Sequence, residues 1–290
     1  CDFNLTAESK KYKAKSGTWV EQEVVSHRDI GLNLTCIENG EDFLSDIKNK
    51  SSKKPMVLGL TGTGGAGKSS LVDEIVSRFL NHYEDIKIGI VCVDPSKRKT
   101  GGSLLGDRIR MNTLARNRVF MRSLASRGAG SEISKSLKPV LEYSKNLDFD
   151  LLIAETSGIG QASHAILDVC DVSMYVMTSE FGAQSQLEKI DMIDYANFVT
   201  INKADRRGAL DALRDVTKQY KRSRKIFDDD TEVPVFLTQA SNFNDAGVNQ
   251  LFLALSDKLA ESDSKWKIND DIKNSIKGRT KQTVVPPERQ

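Results

Sequence analysis

The sequence predicts an α/β fold, a mostly parallel central sheet flanked by helices, and three observations predict it. From Met56 onward, short apolar runs of strand character alternate with stretches whose apolar residues recur at helical spacing, the order a parallel sheet wrapped by helices requires. The run Val57 to Leu71, Val-Leu-Gly-Leu-Thr-Gly-Thr-Gly-Gly-Ala-Gly-Lys-Ser-Ser-Leu, joins such a strand to a glycine loop and a helix. Its Gly62, Gly67, Lys68 and Ser69 fit G-x-x-x-x-G-K-[ST], a loop that grips polyphosphate. A second motif, Asn202-Lys203-Ala204-Asp205, follows a later strand.

The 290 residues suffice for one large α/β domain with additions, and 39% hydrophobic content suits a packed core. A net charge of +2, from 42 basic and 40 acidic residues, argues against nucleic acid or an anionic membrane as the main partner. Cys1, Cys36, Cys92 and Cys170 stand singly, without C-x-x-C, so neither a zinc module nor a disulfide framework is expected. Cys92 and Cys170 read as buried small hydrophobes, and a reducing cytoplasm fits. No stretch is apolar enough to span a bilayer, and the start lacks the pattern of a signal peptide. Beginning on Cys1, the chain reads as a piece of a longer one.

Residues 1–54 are expected to form a polar, irregular arm and linker, with an apolar patch at Ile30, Leu32, Leu34 and Ile37 and a short helix through Phe43, Leu44 and Ile47. The main domain is placed at 55–262. Its first helix carries an apolar stripe of Leu71, Val72, Ile75, Val76, Phe79 and Leu80, which reads as core. In the glycine loop, the backbone around Gly64, Gly65, Ala66 and Gly67 brings N–H groups to phosphates, the helix opening at Lys68 aims its positive end at the same charge, Lys68 reaches the terminal phosphates, and Ser69, with Ser70 beside it, offers a hydroxyl to magnesium.

A second strand, Ile86 to Val93, ends at Asp94, beside the phosphate loop because ligands sit beyond the carboxyl ends of strands in such sheets. The basic, glycine-rich segment that follows, with Arg98, Asp107, Arg108 and Arg110, reads as a switch, the alternative being a flexible connector. Val119 to Leu124 is a strand, and Glu132 to Lys145 is helical. Phe149 to Ala154 reads as a central strand ending in Glu155-Thr-Ser-Gly158-Ile-Gly-Gln161. An acid there followed by glycine suits a magnesium–water shell and a γ-phosphate-sensing N–H; the alternative is an acidic helix cap.

Val172 to Met177 is another strand, and its exit, with Phe181 and Gln184, precedes a helix bearing Leu187, Ile190 and Ile193. The N-K-x-D motif lies about 135 residues after the phosphate loop. There Asp205 can accept two hydrogen bonds from the ring N–H and exocyclic amine of guanine, a donor pair adenine lacks. Asn202 would lie near the base edge and brace the loop, and the Lys203 stem would cover the purine. A helix from Gly208 to about Tyr220, a strand Pro234 to Leu237, a loop whose Ala240 amide could meet the guanine carbonyl, and a helix through Val248 to Leu259 complete the domain. Residues 263–290 are expected to be a polar tether.

From about Pro55 to Ala260 the chain resembles the SIMIBI-class P-loop GTPases that serve adenosylcobalamin-dependent acyl-CoA mutases. The resemblance rests on Gly-Thr-Gly-Gly-Ala-Gly-Lys-Ser, Val-Asp-Pro-Ser, Gly-Asp-Arg-Ile-Arg-Met, Glu-Thr-Ser-Gly-Ile-Gly-Gln and Asn-Lys-Ala-Asp. Phe120-Met-Arg-Ser-Leu124, Tyr175-Val-Met-Thr178 and the run Glu180 to Asp191 are similar to the GTPase segment inside fused isobutyryl-CoA mutases. The resemblance implies a GTPase that gates cofactor loading and protects a mutase whose cobalamin and substrate domains lie in cis or in trans, with a homodimer left open. It implies Lys68 and Ser69 on phosphates and magnesium; Asp94, Asp107 and Glu155 around the metal; and Asn202, Lys203 and Asp205 on guanine.

The segment around Phe181 to Lys189 resembles an additional partner-responsive switch, in which Lys189 is the nearest cation and Asp191 stands near the place where standalone members carry lysine. D-x-H-x-x-G, the cobalamin-ligating motif of the mutases, is absent from the sequence, so cobalamin binding by this segment alone and mutase chemistry are not expected. Asp94, Glu155 and Gln161 are the candidates for orienting the attacking water, and Arg98, Arg108 and Arg110 for a transition-state cation. A nucleotide-dependent protein clamp and a kinase are the readings from other classes.

Overall fold

A computed structural model describes residues 26–40, 53–95, 111–126, 136–156, 163–182, 187, 190–228 and 230–278. Seven parallel strands form one sheet: β1 (Met56–Gly62), β2 (Ile88–Pro95), β3 (Val119–Ser126), β4 (Leu151–Thr156), β5 (Val172–Met177), β6 (Phe198–Asn202) and β7 (Val235–Thr238). Their spatial order is β3-β2-β4-β1-β5-β6-β7, so β1 lies at the centre. Central strands β1, β4 and β5 are buried on both faces, which is why they read as unbroken apolar runs.

Helices cover both faces. On one lie α2 (Lys68–His82), which follows β1, and α6 (Ala246–Ala260), which follows β7. The apolar stripe of α2 is wholly buried: Leu71, Val72, Ile75, Val76 and Phe79 have no exposed surface. The other face is covered by α1 (His27–Glu38), α3 (Leu137–Lys145), the single turn α4 (Met192–Tyr195) and α5 (Ala209–Ser223). No helix among the described residues is long and apolar enough to cross a membrane.

Both ends of the described chain differ from expectation. The patch at Ile30, Leu34 and Ile37 is not irregular but the buried face of α1, capped by Ser26, whose hydroxyl accepts from the Asp29 N–H. Leu32, on the opposite side, is exposed, as period 3.6 dictates. Asn33 donates to the Tyr143 hydroxyl at 2.7 Å and Arg122 pairs with Glu38, so this helix is built into the sheet's second layer. Phe43, Leu44 and Ile47 lie outside the described residues.

The expected tether also folds, in part. Trp266, in a short 3-10 turn at Ser264–Trp266, is 1% exposed, and α7 (Asp270–Gly278) buries Ile276. The indole meets Phe79 and Tyr83 edge-on, with ring centroids 5.4 and 5.2 Å apart, while the Tyr83 hydroxyl donates to the Trp266 carbonyl at 2.7 Å. A polar composition hid one aromatic that anchors the segment to the phosphate-loop helix.

Trp266→Ala should destabilise the fold by about 3–5 kcal/mol, the usual cost of removing a buried aromatic. Chemical denaturation of the full chain, with the slope against denaturant held as a check on cooperativity, measures it.

Candidate nucleotide site

All seven strands point their carboxyl ends at one edge, and the motif residues gather there because each lies at or just beyond the end of a strand. β1 ends at Gly62, with φ +150°, where a Cβ would lie 1.8 Å from the Val176 carbonyl oxygen of β5. Only glycine allows the chain to leave the sheet so close to its neighbour. Thr63 donates its N–H to that carbonyl at 3.0 Å, and the loop turns through exposed Gly64 and Gly65 and buried Ala66 to Gly67, at φ +82°, before α2 begins.

Lys68 is folded back over the loop, with Nζ donating to the Thr63 carbonyl at 3.1 Å and at longer range to Gly62. Ser69 donates its hydroxyl to Glu155 Oε1 at 2.8 Å, which joins the phosphate-loop helix to the tip of β4. Ser70 is exposed. Asp94 is the penultimate residue of β2, one strand beyond β4 from the loop, and is 3% exposed. The other Glu155 oxygen accepts from the Cys92 thiol at 3.7 Å.

Reading Cys92 as a buried hydrophobe missed that contact. No signal in the sequence marks it, since it follows from the register that sets Cys92 beside Glu155. Cys170, by contrast, has its thiol pushed up to about 11, chiefly by burial and then by the neighbouring Asp171 charge.

On the other side of β1, Asn202 ends β6 at 2% exposure and spends both ends of its amide on the protein. Nδ2 donates to the Ala66 carbonyl at 2.8 Å, while Oδ1 accepts from the Thr238 hydroxyl at 3.2 Å and the Ala240 N–H at 3.1 Å. The residue braces the phosphate loop against the β7 exit and does not present its amide to a base edge. The Ala240 amide, expected to meet the guanine carbonyl, serves this brace instead. Lys203 takes φ +61° to turn its stem beside Gly67, and Asp205 lies exposed in the loop before α5.

Phe181 ends a 3-10 turn, Ser179–Phe181, at the exit of β5. Arg98, Asp107, Arg108, Arg110, Gly158, Gln161, Gln184 and Lys189 lie outside the described residues. The arrangement therefore assembles a phosphate cradle at the centre of the edge, hydroxyl and carboxylate oxygens on its β4 side, and a carboxylate-bearing loop on its β6 side.

Comparison with known proteins agrees with this layout. Residues 14–284 match the family described as methylmalonyl-CoA mutase-associated GTPase MeaB. The chain is 52% identical over 265 residues to the fused isobutyryl-CoA mutase of Geobacillus kaustophilus, covering 91% of this chain and 24% of that protein. It is 54% identical over 266 residues to that of Nocardia farcinica, covering 89% and 24%. The chain thus spans about a quarter of the length of these relatives. Among solved structures, HypB from Helicobacter pylori, crystallised with nickel, superposes with a TM-score of 0.54 at 14% identity, over 80% of this chain and 96% of that one. That likeness concerns the fold alone. With sheet, phosphate loop and N-K-x-D loop in place, and with almost the whole chain matched, the protein belongs to the MeaB family of P-loop GTPases.

Proposed function

We propose that this chain binds GTP with magnesium, hydrolyses it in line to GDP and phosphate, and uses that cycle to gate cofactor loading and protection of an adenosylcobalamin-dependent acyl-CoA mutase. The observation that carries the nucleotide reading is the Asn202 brace, because it fixes the distance between a phosphate-binding loop and a base-reading loop. Guanine selectivity is assigned to Asp205, whose carboxylate can take both Watson–Crick-edge donors of that base.

Magnesium fits the donors present. Ser69, Glu155 and Asp94 supply hard oxygen atoms, and no group of three or more His, Cys, Asp or Glu forms a ready-made metal cage among the described residues. Such a site suits an ion held through one or two protein oxygens, phosphate and water. When bound there, magnesium would neutralise charge on the phosphates. Lys68, now on the Thr63 carbonyl, would be the residue to hold the terminal phosphates, and Ser69, now on Glu155, would offer its hydroxyl oxygen to the ion. Glu155, already accepting from Ser69 and Cys92, is assigned to orienting this shell and not to proton abstraction. That leaves Asp94 and Gln161 to orient the attacking water.

The mutase partner is supported by the fused isobutyryl-CoA mutases among the relatives and by the family's association with methylmalonyl-CoA mutase. We place the mutase's cobalamin and substrate domains in cis or in trans and the assembly in the cytoplasm. Cobalamin is assigned to the mutase domain and not to this chain.

Asp205→Asn should weaken GDP binding by tenfold or more and shift preference toward xanthosine diphosphate, as isothermal titration can show; equal affinity of the unchanged chain for ADP and GDP would overturn the assignment. Lys68→Ala should remove phosphate release in a steady-state assay, and retained turnover would move the active site elsewhere. Affinity for isolated mutase domains should differ between GDP and a non-hydrolysable GTP analogue. Identical affinities would separate the hydrolase from any gating role.

A further inference from the structure

The loop that carries Asp205 is held from two sides, and the second side has no part in the reading above. Towards β7, the Ala204 N–H donates to the Thr238 carbonyl at 3.0 Å, an extension of the sheet pairing. Towards β5, the short turn Ser179–Phe181 holds the same loop at two points, and the following Gly182 packs on the helix α5 that the loop leads into.

Arg206, the neighbour of Asp205, forms an ion pair with Glu180. The Ser179 hydroxyl donates to the Arg207 carbonyl at 3.3 Å. Gly182 lies directly on the first turn of α5: a Cβ there would sit 2.4 Å from Ala212 Cβ and 2.9 Å from its Cα. The turn itself is closed by N–H donations from Phe181 to the Thr178 carbonyl and from Gly182 to the Ser179 carbonyl, both at 3.1 Å.

The geometry points to Ser179, Glu180 and Gly182 as positioning residues for guanine recognition: the β5-exit turn sets where Asp205 stands. The inference rests on the assignment of Asp205 to guanine. An exposed carboxylate in a loop has many orientations, and only one accepts two parallel hydrogen bonds from a planar base edge. Fixing the backbone on both sides of Asp205 removes that entropy before the base arrives. Arg206 supplies the grip next to the reader, Arg207 the backbone carbonyl one residue on, and Ala212 the packing surface that keeps α5 and the turn at one spacing.

The Glu180–Arg206 pair is solvent-accessible, with side chains 62% and 42% exposed, so it adds little to global stability. Its effect should appear in base selectivity instead. Coupling is reciprocal: if the turn favours the guanine-ready loop, guanine favours the ordered turn by the same factor.

The test compares GDP with inosine diphosphate, which lacks the exocyclic amine and so offers Asp205 one donor fewer. For the full chain, titration calorimetry should show GDP preferred by about tenfold, the worth of one charge-assisted hydrogen bond. Glu180→Ala should cut that preference about threefold by weakening GDP more than inosine diphosphate. The charge-exchanged double variant, Glu180→Arg with Arg206→Glu, should restore it. Gly182→Val, which forces the turn off α5, should cut it further; should that variant not fold, the exchange pair still decides.

Equal loss for both nucleotides in Glu180→Ala, or no change in either, overturns the inference, as does failure of the exchange to restore the ratio. Asp205→Asn is the control. If it leaves the ratio unchanged, the guanine assignment falls; if it collapses the ratio while Glu180→Ala does not, only the role of the turn falls.

Discussion

One buried amide, that of Asn202, holds the two halves of the site at a fixed spacing. Its nitrogen end is committed to the phosphate loop at Ala66 and its oxygen end to Thr238 and Ala240 at the β7 exit. Cutting either contact would leave a backbone group without its partner in a buried place, at about 1–3 kcal/mol for each. Gly67 is the other half of this device: a Cβ there would lie 2.8 Å from Asn202 Nδ2. The glycine in the phosphate motif and the asparagine in the base motif therefore constrain each other, although they stand far apart in sequence.

The strand order turns that spacing into a layout. Because β1 runs between β4 and β5, the phosphate loop has the carboxylate-tipped strand on one flank and the path to the base loop on the other. Ser69 reaches across to Glu155, and Asn202 reaches back to Ala66, so α2 and its loop are tied in both directions. The packing below makes these ties rigid. The buried stripe of α2, together with Phe79 against Phe252 and Trp266 at centroid distances of 5.1 and 5.4 Å, fixes the helix whose first turn offers Lys68 and Ser69.

Much of this was legible in the sequence, for physical reasons. Strands buried on both faces need unbroken apolar runs, and Val57 to Leu60, Leu151 to Ala154 and Val172 to Met177 supply them. The phosphate loop declares itself because its backbone excludes side chains at Gly62, and the N-K-x-D pattern marks the loop after β6 that carries Asp205. What stayed hidden depends on contacts distant in sequence. The face of α1 reads as an irregular patch until Tyr143 and Arg122 are seen to complete it. The segment 264–278 reads as polar because one residue, Trp266, supplies most of its anchorage. The contact of Cys92 with Glu155 appears only once the register of β2 on β4 is known, and the Ala240 amide was assigned to a base because its partner, the Asn202 oxygen, lies 38 residues away in sequence.

The two carboxylates of the site differ in how they are prepared. Glu155, 5% exposed, already accepts from Ser69 and from Cys92, so a magnesium ion, on the proposed reading, would exchange a hydroxyl donor for a cation there and would not meet an unsatisfied charge. Lys68 is similarly committed, to the Thr63 carbonyl, and a phosphate must replace that contact to gain the ammonium group. On this side of the site binding is a trade of internal hydrogen bonds for ligand contacts, and the net gain is smaller than the gross one. Asp205 stands exposed, with no side-chain donor on it among the described residues, so on the proposed reading its contribution would depend on orientation. A protein built this way can let phosphate occupancy rearrange Lys68 and Ser69 while the base loop stays where its two-sided support puts it. On the proposed reading, the phosphates would be met by side chains that give up internal contacts, and the base by a loop supported from both sides.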